Sequence, residues 1–374
     1  MAVGILGDGV TARSVRSFVH HHPNFQEVSI DSADFIVASP GIPPEQWPDT
    51  SVNIMSELDF AYSQLSDPKP TIIGITGTNG KTTVASGLAH VLNTNAYGNI
   101  GTPLIEGIGT HPYLVVECSS FQLATSSKFA VDIAVILNIT TDHLAWHGTF
   151  SSYFDAKYKL ITSQTKHCIV SKHLPNFSES LCYGNIDYIS DLPKTTYPQF
   201  MGRHNQENAA VIAHVASLCG VPDAIIQDRL DAFSLPPFRC HLVYSDSTRQ
   251  IINDSKATNM AATLAAVRSI SGPKLLILAG QSKGCFSQEW ADEVSKQCDM
   301  IFVAGHLATQ SHVFPDSFLD QVQRYSTVED ATIAALKEQK DGTILFSPGA
   351  ASFDEFDDYV HRGKAFNGYV TANI

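Results

Sequence analysis

The sequence predicts an α/β protein built from three blocks in series. Three observations carry that expectation. Short apolar runs of strand length alternate with amphipathic stretches, the pattern of parallel sheets with crossover helices. Two polar, Pro-bearing segments, Ser66-Asp67-Pro68-Lys69-Pro70 and Leu235-Pro236-Pro237, read as linkers. The length of 374 residues leaves room for two or three domains. The expected boundaries are 1–65, 66–236 and 237–374.

Block one opens with a strand, Ala2–Leu6, and a turn at Gly7-Asp8-Gly9; a second apolar run, Phe35–Ala38, ends in Ser39-Pro40-Gly41. Block two opens with the strand Thr71–Thr76, with further strands at Tyr113–Glu117 and Asp132–Asn138 and helices over Ser151–Thr162 and Gln206–Leu218. Block three holds a hairpin, Leu242–Tyr244 with Gln250–Ile252, and a helix over Thr258–Ile270. Its strands are Lys274–Ala279, Met300–Ala304 and Thr343–Phe346, before a last helix over Asp354–Phe366.

Composition excludes several classes. Charged residues make up 16% and apolar residues 44%, the reverse of the balance that keeps a chain disordered. The formal net charge is −13, which speaks against general nucleic-acid binding, since that rests on clustered cations. The seven cysteines, at 118, 168, 182, 219, 240, 285 and 298, are odd in number and form no C-x-x-C, which fits reduced thiols in a cytosol. No apolar run reaches the ~18 residues of a membrane span. The start M-A-V-G-I-L-G-D-G-V lacks the basic and apolar regions of a signal peptide. A cytoplasmic monomer acting on small molecules is expected. The run His20-His21-His22 reads as a solvated loop, because adjacent histidines do not converge on one ion.

The strongest local signal is G-I-T-G-T-N-G-K-T-T at 74–83, between a strand and a helix-compatible run. Glycines let the backbone curl so that several N–H groups point at phosphate oxygens, which makes Gly77, Thr78, Asn79 and Gly80 candidate ATP-binding residues. The helix N-terminus that follows, with Thr83, adds its dipole. Lys81 can neutralise the β/γ-phosphates and Thr82 can ligate Mg²⁺. The strict G-x-x-x-x-G-K-[ST] pattern is not met, because position 75 is Ile. The bland alternative is a glycine turn with an exposed lysine; the order of strand, turn, Lys-Thr-Thr and helix makes it the minor one.

T-G-T-N-G-K-T-T resembles the ATP loop of the Mur ligase superfamily, whose members form amide bonds through an acyl phosphate. E-C-S-S-F-Q-L (117–123), Y-G-N-I-G-T-P (97–103), L-N-I-T-T-D-H (137–143), N-D-S-K-A-T-N (253–259) and S-P-G-A-A-S-F-D (347–354) resemble the motifs of its D-glutamate-adding branch. The resemblance runs nearly end to end and is weakest before residue 56. It implies a shortened Rossmann-like N-terminal domain for the uridine nucleotide, a central P-loop ATPase domain, and a Rossmann-like C-terminal domain for the amino acid. It also implies ATP, two Mg²⁺ ions and a carbamylated lysine.

Glu117 ends a strand and His143 follows another, where ligands of parallel sheets sit. Mg²⁺ prefers oxygen, so His143 as a ligand beside Thr82 and Glu117 is implied by the resemblance alone. Lys157 by itself reads as a solvated helix face; the matching family lysine carries a CO₂-derived carbamate that helps hold the second ion. Carbamylation needs a neutral amine, hence a depressed pKa. Asn205 and Asn208, at i and i+3, share a helix face; the family uses such amides on adenine, and Asn205 as a helix cap is the alternative.

Arg239 matches an arginine that reaches ATP phosphate from the third domain, although Phe238 stands where the family usually has His; Asp254 matches a ribose ligand. Lys256, Thr258, Lys283, Ser352 and Tyr359 match positions that hold D-glutamate, a dicarboxylate that needs cations and hydroxyl donors. Ala279 and Tyr359 stand where the family often has Gly and Phe. In block one, Val10, Thr11 and Ser14 follow the glycine turn and, with Ser39, Pro40 and Gly41, are matched to UDP-N-acetylmuramoyl-L-alanine. Asn99, Ser119 and Gln122 are matched to its muramoyl-alanyl end. Val19 to Phe35 is too short for the family's second strand and Asp-x-Arg segment, and no Asp-x-Arg is present.

The resemblance implies ATP-dependent joining of D-glutamate to UDP-N-acetylmuramoyl-L-alanine, a cytoplasmic step of peptidoglycan precursor synthesis. Two rivals stand beside it. The first is a ligase for another residue: meso-diaminopimelate-adding members carry D-N-P-R and folate members D-x-A-H-N-P, and neither string occurs, while N-D-S-K-A-T-N does. A catalytically weakened nucleotide-binding relative would suit the shortened first block but not the retained Lys81, Glu117, His143 and Lys157.

Overall fold

A computed structural model describes every residue of the chain apart from Lys194, Gln199, Met201 and Lys283, with the backbone alone at Ala145. Among the described residues the strands form three sheets. The chain divides into two compact units, Met1–Gln199 with Asn205–Ser234, and Phe200–His204 with Leu235–Ile374.

The first sheet comprises β1 (Ala2–Leu6), β2 (Gln26–Glu27), β3 (Phe35–Ala38) and β4 (Asn53–Ser56), parallel in the order β2-β1-β3-β4. Helix α1 (Val10–His21) follows β1, and α2 (Glu57–Ser63) follows β4. The second strand is reduced to the two exposed residues of β2, as the polar stretch after Val19 implies.

The second sheet holds β5 (Thr71–Thr76), β6 (Ala96–Gly98), β7 (Tyr113–Glu117), β8 (Ile133–Ile136), β9 (His167–Val170) and β10 (Asn185–Tyr188), all parallel in the order β10-β9-β8-β5-β7-β6. Its helices are α3 (Lys81–Leu92), α4 (Ser120–Ala124), α5 (Leu144–His147), α6 (Phe150–Tyr158), α7 (Arg203–Leu218) and α8 (Asp223–Asp231). Strand β5 lies between β7 and β8, so the chain order reverses there and a crevice opens at the carboxyl ends of the three. Helix α6 stops four residues short of the sequence expectation. After Tyr158 the chain tightens into a turn, Leu160 N–H donating to Lys157 O, and Leu160 swings into the core over Gly74.

The first two sheets share one hydrophobic core. Val15, Val19, Leu58 and Phe60 from the first block cluster with Tyr97, Leu104, Ile105, Leu123 and Phe129 from the second. The polar contacts across this seam centre on α2. Asp59, 2% exposed, accepts at Oδ1 from Ser126 Oγ (2.6 Å) and the N–H groups of Lys128 (2.9 Å) and Phe129 (2.8 Å). Its Oδ2 accepts from the N–H (2.8 Å) and Oγ (3.2 Å) of Ser127. Hydrogen bonds to a buried carboxylate are the strong kind, so this one side chain fastens the turn 126–129 to the first block. Glu57 Oε1 accepts from Ile105 N–H at 2.7 Å, and Ser14 Oγ bonds the Glu106 carboxylate.

The third sheet, in the other unit, comprises β11 (His241–Ser245), β12 (Arg249–Asn253), β13 (Lys274–Ala279), β14 (Met300–Ala304), β15 (Val322–Tyr325) and β16 (Gly342–Gly349) in the order β11-β12-β16-β13-β14-β15. Only the β11–β12 hairpin is antiparallel. Helices α9 (Met260–Ser269), α10 (Gln288–Gln297), α11 (His306–Thr309), α12 (Asp316–Leu319), α13 (Val328–Glu338) and α14 (Tyr359–Asn373) complete it. The last helix begins five residues later than its sequence suggests. Asp354 and Glu355 turn their carboxylates to the N–H groups of His306 (3.0 Å) and Val328 (3.3 Å), and Asp358 caps the helix instead, accepting from His361 N–H at 2.7 Å.

Candidate active site

The carboxyl ends of β5, β7 and β8 carry the central group of candidate residues. The phosphate loop is fastened from behind by the β8 loop. Thr78 N–H donates to Asn138 O (2.8 Å), Asn79 N–H to Asn138 Oδ1 (2.9 Å), and Asn138 Nδ2 returns a bond to Asn79 O (3.1 Å). Thr78 Oγ1 donates to Thr140 O at 3.1 Å and meets the Tyr153 hydroxyl at 2.9 Å. Gly80 opens α3 at φ 87°, and a Cβ there would lie 2.7 Å from Asn208 Oδ1, so only glycine lets the loop approach that amide. Asn208 Nδ2 in turn points at Asn205 Oδ1 at 3.4 Å, both residues being buried. Helix α7 begins at Arg203, so Asn205 lies inside the first turn rather than at a cap.

Lys81 Nζ donates to the carbonyls of Gly77 (2.8 Å) and Thr78 (2.9 Å). Lys157 converges on the same place: its Nζ donates to Gly77 O at 2.9 Å and lies 4.7 Å over the Tyr153 ring. Lys157 is 1% exposed. Burial first, and the charge of Lys81 second, hold its ammonium well below the usual lysine range, against the opposing pull of Asp142 and Glu117. A lysine whose basicity is lowered in this way is more readily found as the neutral, nucleophilic amine. Thr82 is half-buried at the start of α3, and Thr83 Oγ1 is buried with no partner among the described residues.

Glu117 is 2% exposed at the end of β7. Its Oε1 accepts from Asn99 Nδ2 at 2.8 Å, while Oε2 is buried with no partner among the described residues. His143 sits at φ 55° at the start of α5, with Nε2 3.7 Å from Asp142 Oδ2 and its ring edge-on to Phe121 at 4.7 Å. Ser119 and Gln122 form a reciprocal capping box that starts α4. Their side chains therefore have a local structural duty as well as a place beside Glu117.

In the first block, Ser39 Oγ is buried beside Gly7 without a partner among the described residues. Pro40 and Gly41 lie in a turn closed by Ile42 N–H on Ser39 O at 3.1 Å. Helix α1 starts at the exposed Val10, with Thr11 half-buried and no side chain capping its N–H groups.

The second unit holds the remaining candidates. Phe238, at φ 62°, packs its ring where a Cβ on Gly363 would come within 2.5 Å, and Arg239 beside it is half-buried. Asp254 accepts from Cys240 N–H (3.1 Å) and Ser347 Oγ (2.8 Å); burial pushes its carboxyl up to about 7, with those bonds and Arg239 opposing. Lys256 Nζ sits 3.9 Å over the Tyr359 ring. Thr258 is half-buried and Ser352 buried. Lys283 lies outside the described residues.

The family profile of the Mur ligase middle domain matches residues 75–180, the stretch that carries the loop, Glu117, His143 and Lys157. Over 92% of its length the chain is 30% identical to the UDP-N-acetylmuramoylalanine–D-glutamate ligase of Protochlamydia amoebophila, covering 85% of that protein. The chain belongs to the Mur ligase family, among the UDP-N-acetylmuramoylalanine–D-glutamate ligases. The corresponding Francisella philomiragia enzyme is 28% identical over 98% of the chain and 95% of its own length. Among solved structures, the Thermotoga maritima MurF ligase in complex with ADP matches at TM-score 0.65 and 16% identity, over 100% of this chain and 95% of that one. MurC from the same organism matches at 0.62 and 14%, over 100% and 99%. These last two establish the three-sheet Mur ligase fold.

As a Mur ligase the chain is an ATP-dependent ligase of peptidoglycan precursors. The structure adds residues to the site that the sequence reading passed over. Asn138 and Asp142 stood within L-N-I-T-T-D-H, quoted as a motif without a task for either. Tyr153 shares a bond with Thr78 and lies under Lys157. His147 bonds Ser120 Oγ at 2.9 Å; burial first, then Lys157, push its imidazole down to about 4, so it is neutral at physiological pH. Their signal is weak in sequence because Asn138, Tyr153 and His147 bond to residues 27 to 75 positions away, at the ends of β5 and β7. No helix among the described residues is long and apolar enough to cross a membrane.

Proposed function

We propose that this Mur ligase joins D-glutamate to UDP-N-acetylmuramoyl-L-alanine, with ATP as the phosphoryl donor, as a monomer in the cytoplasm. The observation that carries the reading is Lys157, a buried amine of lowered basicity that shares the Gly77 carbonyl with the phosphate-loop lysine.

The phosphate loop and the N-terminus of α3 bind the triphosphate, with Asn205 and Asn208 for the adenine and Arg239 and Asp254 for phosphate and ribose. The γ-phosphoryl group passes to the alanyl carboxylate, which turns a poor leaving oxygen into phosphate. The amine of D-glutamate attacks the acyl phosphate, and phosphate departs as the amide forms. Lys81 offsets negative charge on the transferring group. Asn99, Ser119 and Gln122 orient the muramoyl-alanyl end, and Val10, Thr11, Ser39, Pro40 and Gly41 take the nucleotide end. Lys256, Thr258, Lys283, Ser352 and Tyr359 take D-glutamate.

Mg²⁺, when bound, supplies positive charge to the phosphate oxygens. The residues fit such an ion: Glu117 Oε2 is a buried acceptor that lacks a partner among the described residues, the kind of atom a hard cation satisfies. Thr82, Glu117, His143 and a carbamate on Lys157 would hold it. In its neutral form, which the lowered pKa favours, the Lys157 amine would add to CO₂ with loss of a proton and leave a carbamate whose oxygens can serve as ligands.

The test is purified protein with ATP, Mg²⁺, UDP-N-acetylmuramoyl-L-alanine and single amino acids. Phosphate release is expected with D-glutamate and not with L-glutamate. No release with D-glutamate, or equal release with both, overturns the reading. The two-residue β2 favours one second reading, a nucleotide-binding relative that has lost turnover; ATP binding without release under any amino acid would select it.

A further inference from the structure

Arg362 on α14 is 0% exposed, and no motif assigns it a task. Its four hydrogen bonds all end on uncharged oxygens. Nε donates to Ser255 Oγ (3.1 Å), Nη2 to Ser255 O (2.9 Å), and Nη1 to Ala350 O (3.0 Å) and Ala279 O (3.3 Å). Burial lowers its pKa to about 10, so the group stays charged at neutral pH. The carboxylates of Asp354, Glu355 and Asp254 oppose that shift, but none of the four bonds ends on a charged partner, a costly way to seat a cation in a core.

The three carbonyls share a location. Ala279 ends β13, Ala350 follows the end of β16, and Ser255 lies two residues beyond β12. Strands β12, β16 and β13 are parallel neighbours, so these are three adjacent strand ends on one edge of the third sheet. From these ends run the segments that bear Lys256 and Thr258, Gly280 and Gln281, and Ser352. The Ser255 hydroxyl that accepts from Arg362 also donates to Tyr359 O at 2.8 Å, which ties in a fourth candidate. Gly280 shows how tightly the guanidinium is seated: at φ 117°, a Cβ there would lie 2.9 Å from Nη1 and 2.1 Å from Ala351 O.

We infer that Arg362 is a positioning residue for the amino-acid substrate, a fixed hub that sets the spacing of the strand-end loops carrying Lys256, Thr258 and Ser352. The inference rests on the proposal that these loops take D-glutamate. Arg362 touches no substrate; it acts through the loops. A planar fork with several fixed donors can bridge three carbonyls at once, which an ammonium on a flexible stem cannot do with the same geometry.

The experiment compares the full-length protein with Arg362→Lys, Arg362→Met and Ser255→Ala, reading kcat and KM for all three substrates. Arg362→Met is expected to raise KM for D-glutamate roughly tenfold while KM for ATP and for the nucleotide substrate stay within about twofold. Arg362→Lys keeps the charge without the fork and is expected in between. Ser255→Ala removes one bond of the hub and keeps the protein testable if both Arg362 variants fail to fold; it is expected to raise KM for D-glutamate about threefold. A merely structural arginine would reduce the active fraction and so lower kcat with every KM unchanged. That outcome, a parallel rise in all three KM values, or unchanged kinetics in the folded variants overturns the inference. Wild-type protein without D-glutamate-dependent turnover would instead sink the functional reading, and the inference with it.

Discussion

At the end of β1 the chain turns through Gly7, Asp8 and Gly9 into α1; at the end of β5 it turns through Gly77, Thr78, Asn79 and Gly80 into α3. Both helices have 12 residues, and both turns leave an inner strand of a parallel sheet. The equipment behind them differs. The central turn is bonded to Asn138 and Thr140 of the neighbouring strand end, and two lysines sit on its carbonyls. The first turn has Asp8 almost fully exposed, paired with Arg16, and one buried hydroxyl, Ser39 Oγ, without a partner among the described residues. A strand–glycine–helix turn is a shape that can face a phosphate. What crosses behind it decides how firmly the shape is held and which charges it offers.

The comparison is broken most forcefully at the central turn. Lys81→Met is expected to lower kcat by about 10³-fold with the fold intact, measured by phosphate release and circular dichroism; a loss below tenfold would mean the loop lysine is dispensable. Lys157→Ala is expected to lose about 10²-fold and to be partly restored by bicarbonate or short carboxylic acids. Full activity of that variant would remove the carbamate role.

Stability should respond where the first block meets the second. Asp59→Ala strips the 126–129 turn of its acceptor and is expected to cost about 3 kcal/mol in denaturant unfolding. A change under ~1 kcal/mol would show that the seam is held by its apolar contacts alone. Glu57 gives the pH dependence: burial raises its carboxyl from 4.5 to about 7, against its bond from Ile105. The folded state thus binds this proton more tightly, so the contribution is full below pH 4.5 and falls as pH rises through 7. Glu57→Gln is expected to flatten that part of the stability profile and to gain on the order of 2 kcal/mol at pH 8. Asp254, raised likewise to about 7, keeps its own share of the slope. An unchanged slope would show that Glu57 titrates normally.

The smallest effect belongs to the first turn. Ser39→Ala is expected to raise KM for the uridine nucleotide about fivefold, the scale of one neutral hydrogen bond. No change in KM would leave the hydroxyl outside nucleotide binding.

Four inner strands were legible because they are continuous apolar runs: β5, β7, β13 and β14 start and end where the sequence places them, whereas the inner β9, H-C-I-V, was passed over. Strands β4, β6, β10 and β15 were not legible. N-I-M-S, A-Y-G, N-I-D-Y and V-Q-R-Y carry no decisive period, and each becomes a strand only because a neighbour offers it a ladder at a sheet edge. The same divide runs through the candidate site. Loop residues with local partners, such as Lys81 over Gly77, could be read from spacing. Asp59 could not, since its partners lie 67 to 70 residues away, and neither could Arg362, whose bonds to Ser255 span 107. No sequence window contains both ends of such a contact.

Asp59 has a bearing on how this enzyme could be taken apart. The segment 66–70 looks like a seam at which an engineer would cut, and a shortened nucleotide block would be an attractive cassette to exchange between related ligases. The block is not a free-standing part. Its α2 carboxylates accept hydrogen bonds from residues 105 and 126–129, and its aromatic and aliphatic side chains complete a core begun by the central sheet. A transplant that works would have to carry those two receiving segments along with residues 1–65, so the unit of inheritance here is larger than the stretch between its linkers.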